Sequence, residues 1–112
     1  MTLFMANKKI IESILACDLD NNAGSWYKIP IIPASASYSS ESEREASGRL
    51  KKTKISFKIS RDLNYIRRNL SLLVTFDDGT HDLIGTSDIP AHVTVNKSDT
   101  ISCSCTWKMP EQ

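Results

Sequence analysis

Residues 100–109 alternate between apolar and polar without interruption. Ile101, Cys103, Cys105, Trp107 and Met109 form one row, and Thr100, Ser102, Ser104, Thr106 and Lys108 the other. Side chains of an extended chain project to opposite faces at a period of two, so this pattern describes a strand with one dry and one wet face. Such a strand belongs to an antiparallel sheet covered on one side, because parallel sheets bury both faces. The same reasoning assigns Cys103, Cys105 and Trp107 to core packing before any chemistry.

A chain of 112 residues with 40% hydrophobic and 24% charged residues fits one folded domain, 1–112, that buries a core without covalent staples. Its formal charge of +1 exerts no global pull on nucleic acid or anionic lipid, so any basic surface is local. Leu3-Phe4-Met5 precedes Lys8 and Lys9, the reverse of a secretory signal, and no apolar run approaches membrane-spanning length. The expectation is a soluble, unexported chain with no membrane partner. Cys17, Cys103 and Cys105 make an odd count that does not form a disulfide framework, and all three are read as reduced.

Residues 9–19 suit a helix through Ile10, Ile11, Ile14 and Leu15, but Ile11, Leu15 and Leu19 with Ser13 and Cys17 also suit a strand, which is the reading adopted. Residues 26–32 are extended, and Pro30 and Pro33 confine them to an edge or to irregular structure. Residues 33–48 change in texture to small and polar, with only Tyr38 to bury, and are expected to form a long loop or arm. Ile55, Phe57 and Ile59 then alternate with Lys54, Ser56, Lys58 and Ser60 in a second amphipathic strand. Ser60 is a suitable N-cap for a short helix with Asp62 in its first turn and Leu63, Ile66 and Leu70 on one face. Leu72-Leu73-Val74-Thr75-Phe76, the turn Asp77-Asp78-Gly79-Thr80, and His81-Asp82-Leu83-Ile84 read as a β-hairpin. Ala91, Val93 and Val95 form one face of a further strand. The sum is a β-dominated α+β domain: an antiparallel sheet or small β-sandwich with one short helix and a long polar arm.

Candidate chemistry is sparse. Cys17, Cys103, Cys105, His81 and His92 could in principle supply a zinc shell, but no spacing among them completes a metal knuckle, so no metal or cofactor is assigned. The run Asp77-Asp78-Gly79-Thr80-His81-Asp82 holds acids and a histidine, yet its turn residues account for it, and no nucleophile elbow or phosphate-binding glycine loop occurs. No catalytic residue is assigned. Lys52, Lys54 and Lys58 share the polar face of the Ile55 strand and could track phosphates, but Phe57 points the other way and leaves the face without a stacking platform, so a subunit-contacting face is preferred to nucleic acid. The acidic residues Glu41, Glu43 and Glu45 invite a pairing in which the arm of one copy lies against the lysine face of the next.

The order of features also resembles a group of small proteins encoded by tailed phages and prophages of gut bacteria. The resemblance covers roughly residues 37–112: a polar arm, Gly48 leading into Lys54-Ile55-Ser56-Phe57-Lys58-Ile59, a turn at Asp77 to Gly79, a returning Leu83-Ile84-Gly85, Pro90, and the final alternating strand. The chain departs from that group in its shorter hairpin turn and in lacking an aromatic, glycine-rich lead-in to the last strand. The resemblance implies a non-enzymatic structural component of the tail, neck or baseplate, synthesised in the host cytoplasm and located in the virion. Its partners would be other copies of itself and neighbouring virion proteins. The residues expected to carry interaction are Tyr38, Glu41, Glu43, Glu45, Lys52, Lys54, Lys58, Arg67 and Arg68. A monomeric β-rich protein-binding module is the alternative, followed by a nucleic-acid accessory protein.

Overall fold

The computed structural model describes residues 10–20, 25–45, 48–63, 66 and 68–110. Strands β1 (Ile11–Asp18), β2 (Tyr27–Lys28), β3 (Ser37–Glu45), β4 (Gly48–Ile59), β5 (Leu70–Phe76), β6 (His81–Ile84), β7 (Thr94–Lys97) and β8 (Ile101–Pro110) form two four-stranded antiparallel sheets. One has the order β2-β1-β5-β6 and the other β3-β4-β8-β7. Their inner faces share one core, in which Ile14, Leu72, Val74, Phe76 and Ile84 of the first sheet meet Ile55, Phe57, Ile59, Cys103, Cys105 and Trp107 of the second.

The final strand keeps the register its alternation demands. Cys103, Cys105 and Trp107 are buried, while Ser104, Thr106 and Lys108 are exposed. Trp107 carries its one polar atom inward and satisfies it by donating from Nε1 to the Ile89 carbonyl at 2.8 Å. The β5–β6 hairpin also forms as the turn residues require. Gly79 adopts φ 88°, and Asp78 Oδ1 accepts hydrogen bonds from the Thr80 amide at 3.0 Å and the Thr80 hydroxyl at 2.6 Å.

Three sequence expectations are corrected. Residues 33–48 are not a loop or arm: Ser37–Glu45 is a nine-residue strand paired along its whole length with β4. The alternation Ala34-Ser35-Ala36-Ser37-Tyr38-Ser39 explains this, since Ala36 and Tyr38 pack against the core while serines occupy the other face. The short helix is also absent among the described residues. Its intended cap, Ser60, donates its amide to the Pro30 carbonyl at 3.2 Å, and Asp62 pairs with Lys97, so both polar residues serve tertiary contacts. Leu63 and Ile66 are buried, the Ile66 amide donates to the Leu63 carbonyl at 3.3 Å, and Leu70 already belongs to β5; residues 64, 65 and 67, on which the rest of that expectation falls, lie outside the described residues.

In β1 the strand reading holds but the face does not. A register shift between Ile11 and Ser13 reverses the alternation, so that Ile14, Ala16 and Asp18 point inward with Ile11 while Leu15 lies outward. β1 pairs with β2 and β5. β2, just two residues long, occupies a sheet edge as the flanking prolines require.

The two sheets are tied at their margins by polar contacts. Tyr38 of β3 donates its hydroxyl to Asp82 of β6, and Lys51 of β4 lies 3.7 Å from the other Asp82 oxygen. Within the first sheet, the buried Asp18 carboxylate of β1 meets Arg68, just ahead of β5, at 3.1 Å and accepts the Asp20 amide at 3.0 Å.

Candidate interaction face

The β3-β4-β8-β7 sheet has an outer face composed of polar positions across its centre. Antiparallel partners share a face, so the register lines them up in rows. Ser37, Ser56, Ser104 and Thr94 form one row across all four strands. On one side of it lies the row Ser39, Lys54 and Thr106, followed by Glu41, Lys52 and Lys108; on the other lies Lys58, Ser102 and Asn96. The short hydroxyl side chains leave a trough between lysine ridges. Two shallow depressions of about 330 Å³ each mark it, one beside Lys54 and one beside Lys58. Ser37 Oγ and Ser56 Oγ are hydrogen-bonded at 2.7 Å within the trough.

Towards the β3–β4 connection the hairpin loses cover on its inner side as well. Thr53 is 1% exposed, yet Ser42, Arg44 and Arg49, which lie at inward-facing positions farther along the hairpin, are all exposed. The opposite sheet therefore ends near the Tyr38–Asp82 contact, and the hairpin continues past it with both faces accessible. β3 is also the edge of its sheet, and its nine residues include no proline and no register shift against β4. Such an edge offers backbone donors and acceptors to another chain, while the charges on it select against indiscriminate pairing.

The sequence-assigned interaction residues separate into three groups. Glu41, Lys52, Lys54 and Lys58 come together on the outer face, and the register places positions 43 and 45 in the same outward series. Tyr38 points the other way: it is half-buried, packs edge-on against Phe76 with ring centroids 4.8 Å apart, and bonds Asp82. Burial, together with the hydrogen bond to Asp82 and its charge, pushes the Tyr38 hydroxyl up to about 12. Its role is to brace the two sheets. Arg68 is likewise occupied by Asp18, away from this face, and Arg67 lies outside the described residues.

Within one chain the register sets Glu41 opposite Lys52. Ser37, Ser39, Ser102, Ser104, Thr106 and Lys108 were not assigned to the interaction surface from sequence. Their polar parity was visible in residues 100–109, but the pairing of β4 with β8 that joins them to the lysines was not.

Among the described residues no group of three or more His, Cys, Asp or Glu side chains is placed to hold a metal ion. Cys103 and Cys105 are buried side by side in the core, and burial pushes the Cys105 thiol up. His81 and Asp82 diverge by strand alternation: His81 Nδ1 lies 3.0 Å from Thr75 Oγ1, and Asp82 turns toward Tyr38 and Lys51. Comparison of the chain with known protein families, with characterised proteins and with solved structures returned no match.

Proposed function

We propose that this chain is a non-enzymatic structural component of a tailed-phage particle, in the tail, neck or baseplate, acting through contacts with other copies of itself and with neighbouring virion proteins. The observation that carries the reading is the β3–β4 hairpin, which runs beyond the opposite sheet with both faces accessible and a long unbroken edge. A hairpin held rigidly at its base by the core and exposed at its far end presents backbone groups and charges without an ordering cost at contact. The sequence resemblance supports the same reading. Its shared positions correspond here to the β5–β6 turn, the returning Leu83 to Gly85 and the last strand.

Nucleic acid is a weaker partner for the face, because Phe57 is buried and the lysines are accompanied by acidic positions on the same surface. The direct test is to purify tailed particles from a lysogen carrying the gene and quantify this chain against the major capsid protein by mass spectrometry. A constant copy number per particle supports the proposal. Absence from purified particles, with the chain left in the soluble lysate, contradicts it.

A further inference from the structure

β1 is paired along its whole length on one side and for a short stretch on the other. β5 accompanies it from Ile11 to Asp18, whereas β2 meets just Leu15 and Ala16, with one further bond from the Ile29 amide to the Ile14 carbonyl at 2.9 Å. The chain leaves the sheet at Pro30, and Ile31 bridges to Ile59 of the second sheet. Among the described residues, Ile11 to Ser13 therefore have no strand beside them on that side. In place of the missing strand lies a groove of about 420 Å³, lined by Ile11, Ile29, Ile31 and Ala36 together with Glu12 and Lys28. Ile11 and Ile29 belong to the core, and Ile31 and Ala36 pack against it, so the groove opens onto the apolar interior of the sandwich. Glu12 is exposed there and makes no ion pair with a described residue.

We propose that the chain's own first residues fill this groove, with residues 2–6 running antiparallel to β1 beyond the end of β2 and the Phe4 ring seated between Ile11 and Ile31. Ile10 is the first described residue; it lines the groove and is 61% exposed, so the chain before it starts at the groove wall. The nine residues ahead of Ile10 hold one apolar run, Leu3-Phe4-Met5, followed by the turn former Asn7 and by Lys8 and Lys9. A two-residue turn at Asn7 and Lys8 sets Met5 opposite Ile10 and Phe4 opposite Ile11. Antiparallel partners share a face, and Ile11 faces inward, so Phe4 is directed into the groove. The stretch to be covered, Ile11 to Ser13, is roughly 10 Å long at about 3.3 Å per residue, well within the reach of the segment. Lys8 and Lys9 bring positive charge to the side of the groove that carries Glu12. Tethering at Ile10 also gives the segment a local concentration in the millimolar range, which an apolar peptide from a separate partner would have to exceed. The docking holds equally for a particle component and for a monomeric binding module.

The test is isotope-edited nuclear Overhauser spectroscopy of the full chain, with Phe4→Ser as its control. The expected result in wild type is a set of cross-peaks from the Phe4 ring to the methyl groups of Ile11 and Ile31. Phe4→Ser should shift the Ile11 and Ile31 methyl resonances and leave those of Ile84, on the opposite edge strand of the first sheet, in place. An equal mixture of labelled and unlabelled chains separates contacts within one chain from contacts between chains, and the proposal requires the former. Cross-peaks between chains alone would assign the groove to the first residues of a neighbouring copy and overturn docking of the chain's own segment. Random-coil shifts for residues 3–5, with no cross-peak from Phe4 to either isoleucine, would overturn the proposal and leave the groove open. The wild-type cross-peaks decide between these outcomes even if Phe4→Ser does not fold.

Discussion

Tyr38 on β3 and Asp82 on β6 are joined by a hydrogen bond that links the edge strand of one sheet to the edge strand of the other. It lies where the sandwich ends and the exposed hairpin begins, with Lys51 alongside Asp82. Removing the hydroxyl leaves a partly buried carboxylate short of a donor. Tyr38→Phe is therefore expected to cost about 1–2 kcal/mol, read as a lower denaturant midpoint at unchanged slope.

The same contact sets a pH dependence. The Tyr38 hydroxyl is held up to about 12, above the value of about 10 for an unfolded tyrosine, so the folded state retains its proton longer. This contribution is fully present below about pH 10 and is lost as pH rises through about 12. Wild type should lose stability across that window relative to Tyr38→Phe, in denaturation series run in parallel. Curves that stay parallel would show that the proton of Tyr38 is not linked to folding.

Thr53 places its hydroxyl in the core at 1% exposure, and Oγ1 has no hydrogen-bond partner among the described residues. Valine keeps the shape and removes the unsatisfied oxygen. Thr53→Val should raise stability by up to about 1 kcal/mol, whereas Thr53→Ser, which keeps the oxygen and deletes the methyl, should lower it by about 1 kcal/mol.

Gly85 and Gly79 share left-handed backbone, at φ 94° and 88°, but differ in surroundings. A Cβ at Gly85 would stand 2.4 Å from the Leu70 carbonyl oxygen and 2.8 Å from Ala91, against the bridge in which Leu70 and Ala91 exchange hydrogen bonds. A Cβ at Gly79 would meet nothing within 4 Å. Gly85→Ala should cost about 3 kcal/mol or more, and Gly79→Ala about 1–2 kcal/mol from backbone strain alone. Equal losses of melting temperature would contradict the packing at Gly85.

Cys17, Cys103 and Cys105 are buried, and none of them is in a disulfide. A thiol-specific reagent should label none of the three in the native protein at a rate faster than global unfolding, and all three in denaturant. Rapid labelling of Cys103 or Cys105 under native conditions would place the last strand outside the core.

The strands that were legible in sequence are those with one wet and one dry face. β8 and β4 announce themselves through Cys103, Trp107, Ile55 and Phe57, and the β5–β6 hairpin through Asp78 and Gly79. β3 was hidden because serine and glutamate carry little strand propensity: of its inward positions just Tyr38 is a large apolar residue, and exposed polar residues follow it, so hydrophobicity gave little sign of pairing. β1 concealed its face because a single register shift near Glu12 exchanges the two rows. The helix expected after Ser60 is not seen among the described residues, where Ser60 and Asp62, its expected capping residues, make tertiary bonds. For the candidate face, residue chemistry was readable but strand adjacency was not. The lysines of β4 become one surface with Ser104, Thr106 and Lys108 through pairing with β8, which no local pattern specifies.

The central claim is that this chain works by associating with itself, and native mass spectrometry of the purified full-length protein over a range of concentrations tests it most directly. The account predicts an assembly of more than one copy whose population grows with concentration. A single-chain mass at every concentration would contradict it.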